Sequence, residues 1–325
     1  MVVSAPSTLE HNEPVNETPR LDVSAAFELR SAELVRSAER AAGENDASAL
    51  LELRVAARRL RAAVELFQPA FPNRLRKRAR KALKRLSRIG VRTGDVQHVL
   101  LAEAHTASTD LAEKATIEHV LEQIDGERAA QRSSLLEKIE DIGPAHVAAL
   151  LERLAAKAAG DDRPKRRARR AFKLFDGLID DAFAALPDRT ALESADALKR
   201  AHSAVRALRY SLEAVVPSLQ DVADLVRPIA ELEQVLGTLL DRSELLSMLD
   251  EQRAELVRNG RNVLGDQIAR LVERTRGQSR ALGERAVALA QQLDRERLSL
   301  DLRSALGVKP KGRNGHEPPA DDNGI

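Results

Sequence analysis

The sequence predicts an all-α fold, and three observations lead to that expectation. Helical periodicity runs through almost all of residues 23–305, whereas the alternation typical of strands is absent. The composition, with 43% hydrophobic and 31% charged residues and much Ala, Leu, Arg and Glu, is typical of a soluble helical protein. An arginine-rich helix also recurs later in the chain. Together these features predict two related, pseudo-symmetric helical halves, of about 23–150 and 160–305.

Gly and Pro signals divide this region into successive helices. The breaks fall at Gly43 and at the segments QPAFPN, IGVRTGD, IGP, GDDRP, LPDRT and VPS. Residues 1–22 and 306–325 show no helical period and are predicted to be disordered tails. The predicted helices are 23–43, 47–68, 73–90, 94–107, 109–140, 144–159, 163–185, 190–216, 219–240, 242–260 and 262–305.

The second predicted helix places arginines beside its apolar stripe. On a helical wheel the apolar stripe covers about 80°, and an adjacent polar sector of about 60° contains Arg54, Arg58, Arg61 and Glu65. Because these arginines flank the buried edge, they either line a cleft that holds an anion or form buried pairs with carboxylates such as Glu65. The sequence leaves both roles open.

The third predicted helix is strongly basic. Residues 74–92 contain ten basic residues and no acid, and most of these fall within about 120° on the wheel, opposite the leucines. A face that served stability alone would mix Glu with Lys at i, i+4 spacing. We therefore expect this face to bind an anion, and the alternative is a solvated or internally paired face. The candidate residues are Arg74, Lys77, Arg78, Lys81, Lys84, Arg85, Arg88 and Arg92.

The arginine helix recurs at a shift of 148 residues. The segment RVAARRLRAAVELFQP at 54–69 aligns with HSAVRALRYSLEAVVP at 202–217, and the apolar stripe repeats in the same register. The repeat predicts that the two helices hold equivalent places in the two halves. The identical pairs are Ala56/Ala204, Arg58/Arg206, Leu60/Leu208, Arg61/Arg209, Glu65/Glu213 and Pro69/Pro217.

The sequence also contains three further basic features whose roles it does not decide. Arg206 and Arg209 either line the same cleft as their counterparts or pair with Glu213. His202 is interpreted as a partly buried structural histidine in preference to a ligand. Residues 163–173 hold seven basic residues and no acid, and they either extend the basic surface or form a solvated helix start.

Composition excludes several classes of site. The chain has no cysteine, so disulfides and thiolate sites are excluded, and aromatic residues make up only 2%, which counts against base-stacking nucleic-acid modules. No P-loop, nucleophile motif or metal-ligand spacing is present, so we expect neither an enzyme nor a bound metal or cofactor. Without a secretory pattern or a long apolar run, a cytoplasmic protein without membrane insertion is the expectation.

Four segments resemble those of the CHAD family, the conserved histidine α-helical domain. They are LELRVAARRLR (51–61), RIGVRTGDVQHVL (88–100), VRALRYSLE (205–213) and LGTLLDRSELL (236–246). Leu51 and Lys199 stand at the positions of the two naming histidines. His202 stands where an Arg is usual, and Thr93 where an Asp is usual.

The resemblance implies two pseudo-symmetric helical bundles in one domain, around a basic cleft that binds inorganic polyphosphate. Some relatives are associated with storage granules. Our first hypothesis is therefore non-enzymatic polyphosphate binding. The alternatives are a helical scaffold or granule-associated protein that has lost ligand binding, and nucleic-acid binding through the same basic helix. The expected polyanion-binding residues are those of the basic helix together with Arg54, Arg58, Arg61, Lys199, Arg206 and Arg209.

Overall fold

The computed structural model describes residues 21–43, 47–89, 94–159, 163–186 and 194–309. These ranges contain helices and turns without any strand, so the all-α prediction is confirmed. Short 3₁₀ turns at Gln68–Ala70 and Gln220–Val222 lie before two of the helices. The α-helices of the described ranges are α1 (Val23–Gly43), α2 (Ala47–Leu66), α3 (Asn73–Leu86), α4 (Asp95–Ala107), α5 (Leu111–Ile142), α6 (Pro144–Ala159), α7 (Pro164–Ala184), α8 (Ala195–Glu213), α9 (Ala223–Arg258), α10 (Asn262–Gln292) and α11 (Arg295–Ala305).

The predicted break near residue 241 is wrong, because α9 is one continuous helix. The local sequence LLDRS contains neither Gly nor Pro, and the leucines on both sides keep the apolar face in register. Leu239 and Leu245 are both buried. As a result α9 is long enough to reach beyond the main core.

The predicted single helix 262–305 is also wrong, because it divides into α10 and α11. Leu293 leaves the helical conformation, and the Asp294 carboxylate accepts a hydrogen bond from the backbone amide of Arg297 at 3.0 Å. A side-chain cap of this kind satisfies one of the free amides that begin a helix. The Asp-x-x-Arg start therefore ends one helix and begins the next.

One large core is enclosed mainly by α1, α2, α3, α6, α7 and α8, with contributions from parts of α5, α9, α10 and α11. The predicted apolar stripe of α2 is fully buried in it, from Leu53 to Phe67. α2 contacts α1, α3, α4 and α8, and α8 contacts α2, α7 and α9. The two arginine helices are therefore neighbours inside the fold, and their polar edges lie next to buried surface.

The long helices α5, α9 and α10 continue past this core and form a second, smaller core with α4. α4 and α5 come from the first predicted half and α9 and α10 from the second, so both halves build this core. Its buried members are Leu101, Ile117, Val120, Ile124, Leu245, Leu249, Leu256, Ile268, Leu271 and Val272.

The ordered helical region reaches slightly past both predicted boundaries. Leu21 is buried, Asp22 accepts a hydrogen bond from the Ser24 amide at 2.8 Å, and Leu306 is buried in the main core. The remaining residues of the predicted tails, 1–20 and 310–325, lie outside the described residues. Within the described ranges no helix is long and apolar enough to cross a membrane, and no group of three or more His, Asp or Glu side chains is placed to hold a metal ion.

Candidate functional site

The contact between α2 and α8 brings Arg58 and Arg206 together, and we call these two residues the central arginine pair. Burial, followed by the positive charges of Arg206 and Arg54, lowers the pKa of Arg58 to about 10. Arg58 is therefore still cationic at neutral pH, in surroundings that disfavour its charge. Neither member of the pair forms an ion pair or a side-chain hydrogen bond with another described residue. The charges of Glu233 and Asp241 act on Arg58 without forming an ion pair with it, so the repulsion between the two guanidinium groups is only partly compensated.

Two carboxylates of this region, Glu233 and Glu213, are already paired with other side chains. Glu233 Oε1 lies 2.9 Å from His202 Nε2, and Glu233 Oε2 accepts a hydrogen bond of 2.6 Å from Arg209 Nη1. Glu213 accepts a 2.8 Å hydrogen bond from Arg209 Nε and lies 2.8 Å from Arg59 Nε. Arg209 and His202 are consequently held in a structural network. The central arginine pair forms no ion pair with this network, although the charge of Glu233 acts on Arg58.

A second buried cation, Arg54, lies beside acidic groups. Arg54 is only 7% exposed; burial lowers its pKa, and the charges of Asp95, Asp241 and Glu244 act in the opposite direction. Burial raises the pKa of Asp241 to about 6, against the lowering effect of the nearby cations, of which His202 is the first. Because Asp241 gains a proton as the pH falls through about 6, the region around Arg54 and Arg58 becomes more positive in mild acid.

The basic face of α3 is exposed to solvent. Arg80 Nε lies 2.6 Å from Glu65, Arg85 pairs with Asp141, and Arg76 donates to two amide side chains. The other six cations make no side-chain hydrogen bond or ion pair with a described residue, and on the wheel they share one sector of about 120°. We call these six the α3 stripe: Arg74, Lys77, Arg78, Lys81, Lys84 and, in the turn after the helix, Arg88.

The remaining sequence-predicted residues occupy separate places. Arg61 lies exposed on α2, one turn before Glu65, and Lys199 lies exposed near the start of α8; neither has an ionic partner within the described residues. Arg92 lies outside the described residues. The predicted set therefore divides into a central group, an exposed group on α3, two separate exposed residues (Arg61 and Lys199), and the two paired residues Arg85 and Arg209.

Residues 25–250 match the family model described as the CHAD domain. The chain belongs to the CHAD family. This assignment confirms the resemblance carried by the arginine helices. The fold also resembles the crystal structure of the CHAD domain from the plant Ricinus communis, with a TM-score of 0.55 and 18% identity over 90% of this chain and 94% of the other, and at this identity the likeness shows the fold alone. No curated protein matches the chain.

In this CHAD domain, three residues of α9 lie beside the arginines of α2 and α8: Glu233, Gly237 and Asp241. The sequence patterns did not identify them as site residues. Glu233 holds His202 and Arg209, and Asp241 adds an acid beside Arg54. Gly237 packs against the His202 ring, and a Cβ atom built on it would be 3.2 Å from His202 Nε2. Two of the three residues, Gly237 and Asp241, belong to the LGTLLD segment that carries part of the family resemblance. That segment was the signal in the sequence that could have identified them.

Replacing Gly237 by Ala is expected to lower the free energy of unfolding by about 1 kcal/mol, because the added methyl group displaces His202 from Glu233. The matched control is Gly126→Ala in α5, where nothing lies within 4 Å of the added atom. That control should gain about 0.5–1 kcal/mol from helix propensity. Urea denaturation measures both changes, and equal stabilisation by both substitutions would contradict the close packing of Gly237 on His202.

Proposed function

We propose that this CHAD domain binds inorganic polyphosphate, without catalysing a reaction, through the central arginine pair and the α3 stripe. The observation that carries the proposal is the pair itself. Arg58 and Arg206 are both half-buried, and within the described residues no carboxylate forms an ion pair with either of them, although the charge of Glu233 acts on Arg58. A phosphate group between them would remove their mutual repulsion and accept charge-assisted, bidentate hydrogen bonds.

The α3 stripe supports a polymeric ligand in preference to a single phosphate. Six exposed cations without ionic partners in the described residues lie in one row, and such a row repels itself unless anions neutralise it. The helix is held to α2 by the pair Arg80–Glu65, and α2 also carries Arg58. A flexible polyanion has charges all along its length, so one chain can contact the cations of both helices. Counterion release would then supply much of the binding free energy.

Nucleic acid is a weaker candidate, because the protein offers no aromatic surface to bases. The chain has six Phe and one Tyr, all within the described residues, and none of them is exposed. Tyr210 is buried, and the guanidinium groups of Arg59 and Arg209 lie 5.6 and 5.8 Å from its ring centroid. Single-stranded nucleic acids depend on base stacking for much of their affinity. Only contacts to the phosphate backbone remain available.

Long-chain polyphosphate is expected to bind with a steep dependence on salt. If the six cations of the α3 stripe each neutralise one phosphate, the slope of log K against log salt should be about −4 with the coefficient for single strands. Titrations at several salt concentrations between about 50 and 200 mM measure this slope. Duplex DNA at the same phosphate concentration serves as the competitor.

Three outcomes would contradict the proposal. A slope near zero would exclude the electrostatic mechanism. DNA that competes as well as polyphosphate would indicate a general phosphate-backbone surface. The absence of binding at the lowest salt concentration would support the scaffold alternative.

A further inference from the structure

The second basic run of the sequence, residues 163–173, forms part of a separate cavity. The start of α7 and the end of α11 enclose a space of about 460 Å³. Four cations line it, Lys165 and Arg169 from α7 and Arg303 and Lys309 from the α11 side, and no described carboxylate does. None of these residues belongs to the central arginine pair or the α3 stripe. α11 also lies beyond residues 25–250, which the family model matches.

We propose that this cavity binds a compact anion of two or three phosphate groups, such as inorganic triphosphate, either free or as the end of a longer chain. Its volume falls in the range of small-ligand sites, about 300–1,000 Å³. A phosphate group carries between about one and two negative charges. Four cations therefore suit two or three such groups better than a single phosphate.

Arg303, one of the lining cations, is held in place by an aromatic ring. Its guanidinium carbon lies 4.7 Å from the centroid of the Phe172 ring, a stacking contact that restricts the side chain. Its Nε is buried and donates no hydrogen bond to any described residue. A buried guanidinium nitrogen without an acceptor is costly, and a bound phosphate oxygen would supply one.

The alternative explanation is that the cations only compensate the carbonyl groups at the end of α11. Those carbonyls are already satisfied by the backbone. The carbonyls of Leu302, Arg303 and Ser304 accept hydrogen bonds from the amides of Leu306, Val308 and Gly307, at 3.1, 3.0 and 2.9 Å. The left-handed Gly307 makes this closing turn possible. The four side chains are therefore not needed as a helix cap.

The test is calorimetric titration of inorganic triphosphate into the full chain, in a background with Lys77, Lys81, Lys84 and Arg88 all changed to Glu. This background reverses four of the six cations of the α3 stripe. The central arginine pair is the same in every variant compared, so a difference between the variants reports on the cavity and not on the proposed function. The cavity variant is Lys165→Gln with Arg169→Gln. The matched control is Arg166→Gln with Arg170→Gln, which removes two exposed charges from the same helix without touching the cavity.

We expect the cavity variant to weaken triphosphate binding by at least about tenfold, because charge-assisted contacts are lost, and the control to change it less than about twofold. Equal losses in both variants, no loss in either, or a lower unfolding temperature of the cavity variant with unchanged binding would each overturn the proposal. Long-chain polyphosphate, compared at equal concentration of chain ends, separates the two sources. If it competes with triphosphate, the cavity accepts chain ends; if it does not, the cavity takes the free anion.

Discussion

Changing Lys77, Lys81, Lys84 and Arg88 to Glu should weaken polyphosphate binding by about two orders of magnitude or more while the protein stays folded. The substitutions replace four of the six cations of the α3 stripe by carboxylates, so attraction along the row becomes repulsion. All four side chains are exposed and have no ionic partner within the described residues. Lys and Glu have similar helix propensities, and the introduced carboxylates can pair with Arg74 and Arg78. Titration with polyphosphate, together with circular dichroism during heating, measures both effects.

The matched control reverses Arg253, Arg261, Arg270 and Arg280, four exposed cations far from α3 in sequence and also without described ionic partners. Both variants change the net charge by eight, from +2 to −6. The control should bind almost as well as the wild type. If both variants lose binding equally, only the overall charge matters. If the α3 variant unfolds, its cationic face serves folding, and if it binds normally, the site lies elsewhere.

The same experiment tests an asymmetry between the two halves. The counterpart of the basic helix at a shift of 148 is residues 222–240, which lie in α9 from Ala223 onward and in which Arg227 is the one basic residue beside three acids. In the structure two of those acids, Glu231 and Glu233, are paired within the fold. We therefore expect most of the polyanion affinity to come from the first half. Equal contributions from α9 would leave the α3 variant with about half of its binding free energy.

Replacing Glu233 by Gln should lower the midpoint of thermal unfolding by roughly 5–10 °C, which corresponds to a loss of about 2–4 kcal/mol. Glu233 is 7% exposed and its two oxygens contact His202 and Arg209. Gln keeps the volume of Glu but removes the charge that compensates these two groups. The control is Glu231→Gln, two residues earlier, whose 2.6 Å pair with Arg285 is exposed and should contribute less than about 1 kcal/mol.

The pH dependence gives the same prediction an independent check. Burial raises the pKa of Glu233, but the hydrogen bond and charge of His202 and the pairing with Arg209 outweigh it, so the pKa lies below its ordinary value. A carboxylate with a lowered pKa in the folded state stabilises the protein above its unfolded pKa. That contribution is lost as the pH falls through the lowered value. The difference between wild type and Glu233→Gln should therefore be present at neutral pH and disappear in strong acid, and a difference constant with pH would contradict the charge-based explanation.

Much of the fold follows from local patterns in the sequence. The apolar stripe of α2 is buried as predicted, and most helices begin and end near the predicted residues, because Gly, Pro and the helical period act over a few residues. The two wrong helix boundaries also depend on features within a few residues. α9 continues where no breaking residue stands, and Asp294 begins α11 through a side-chain cap that the apolar period does not reveal.

The sequence by itself determined that the protein is helical, that an arginine helix occurs twice, and that α3 has one cationic face. Only the tertiary structure decided which of those cations are available. Arg206 and Arg209 look equivalent in the repeat, yet Arg209 is neutralised by Glu213 and by Glu233 from another helix, whereas Arg206 meets Arg58. The physical reason is distance: ion pairs act over a few ångströms, and the residues that come within that range belong to helices far apart in the chain.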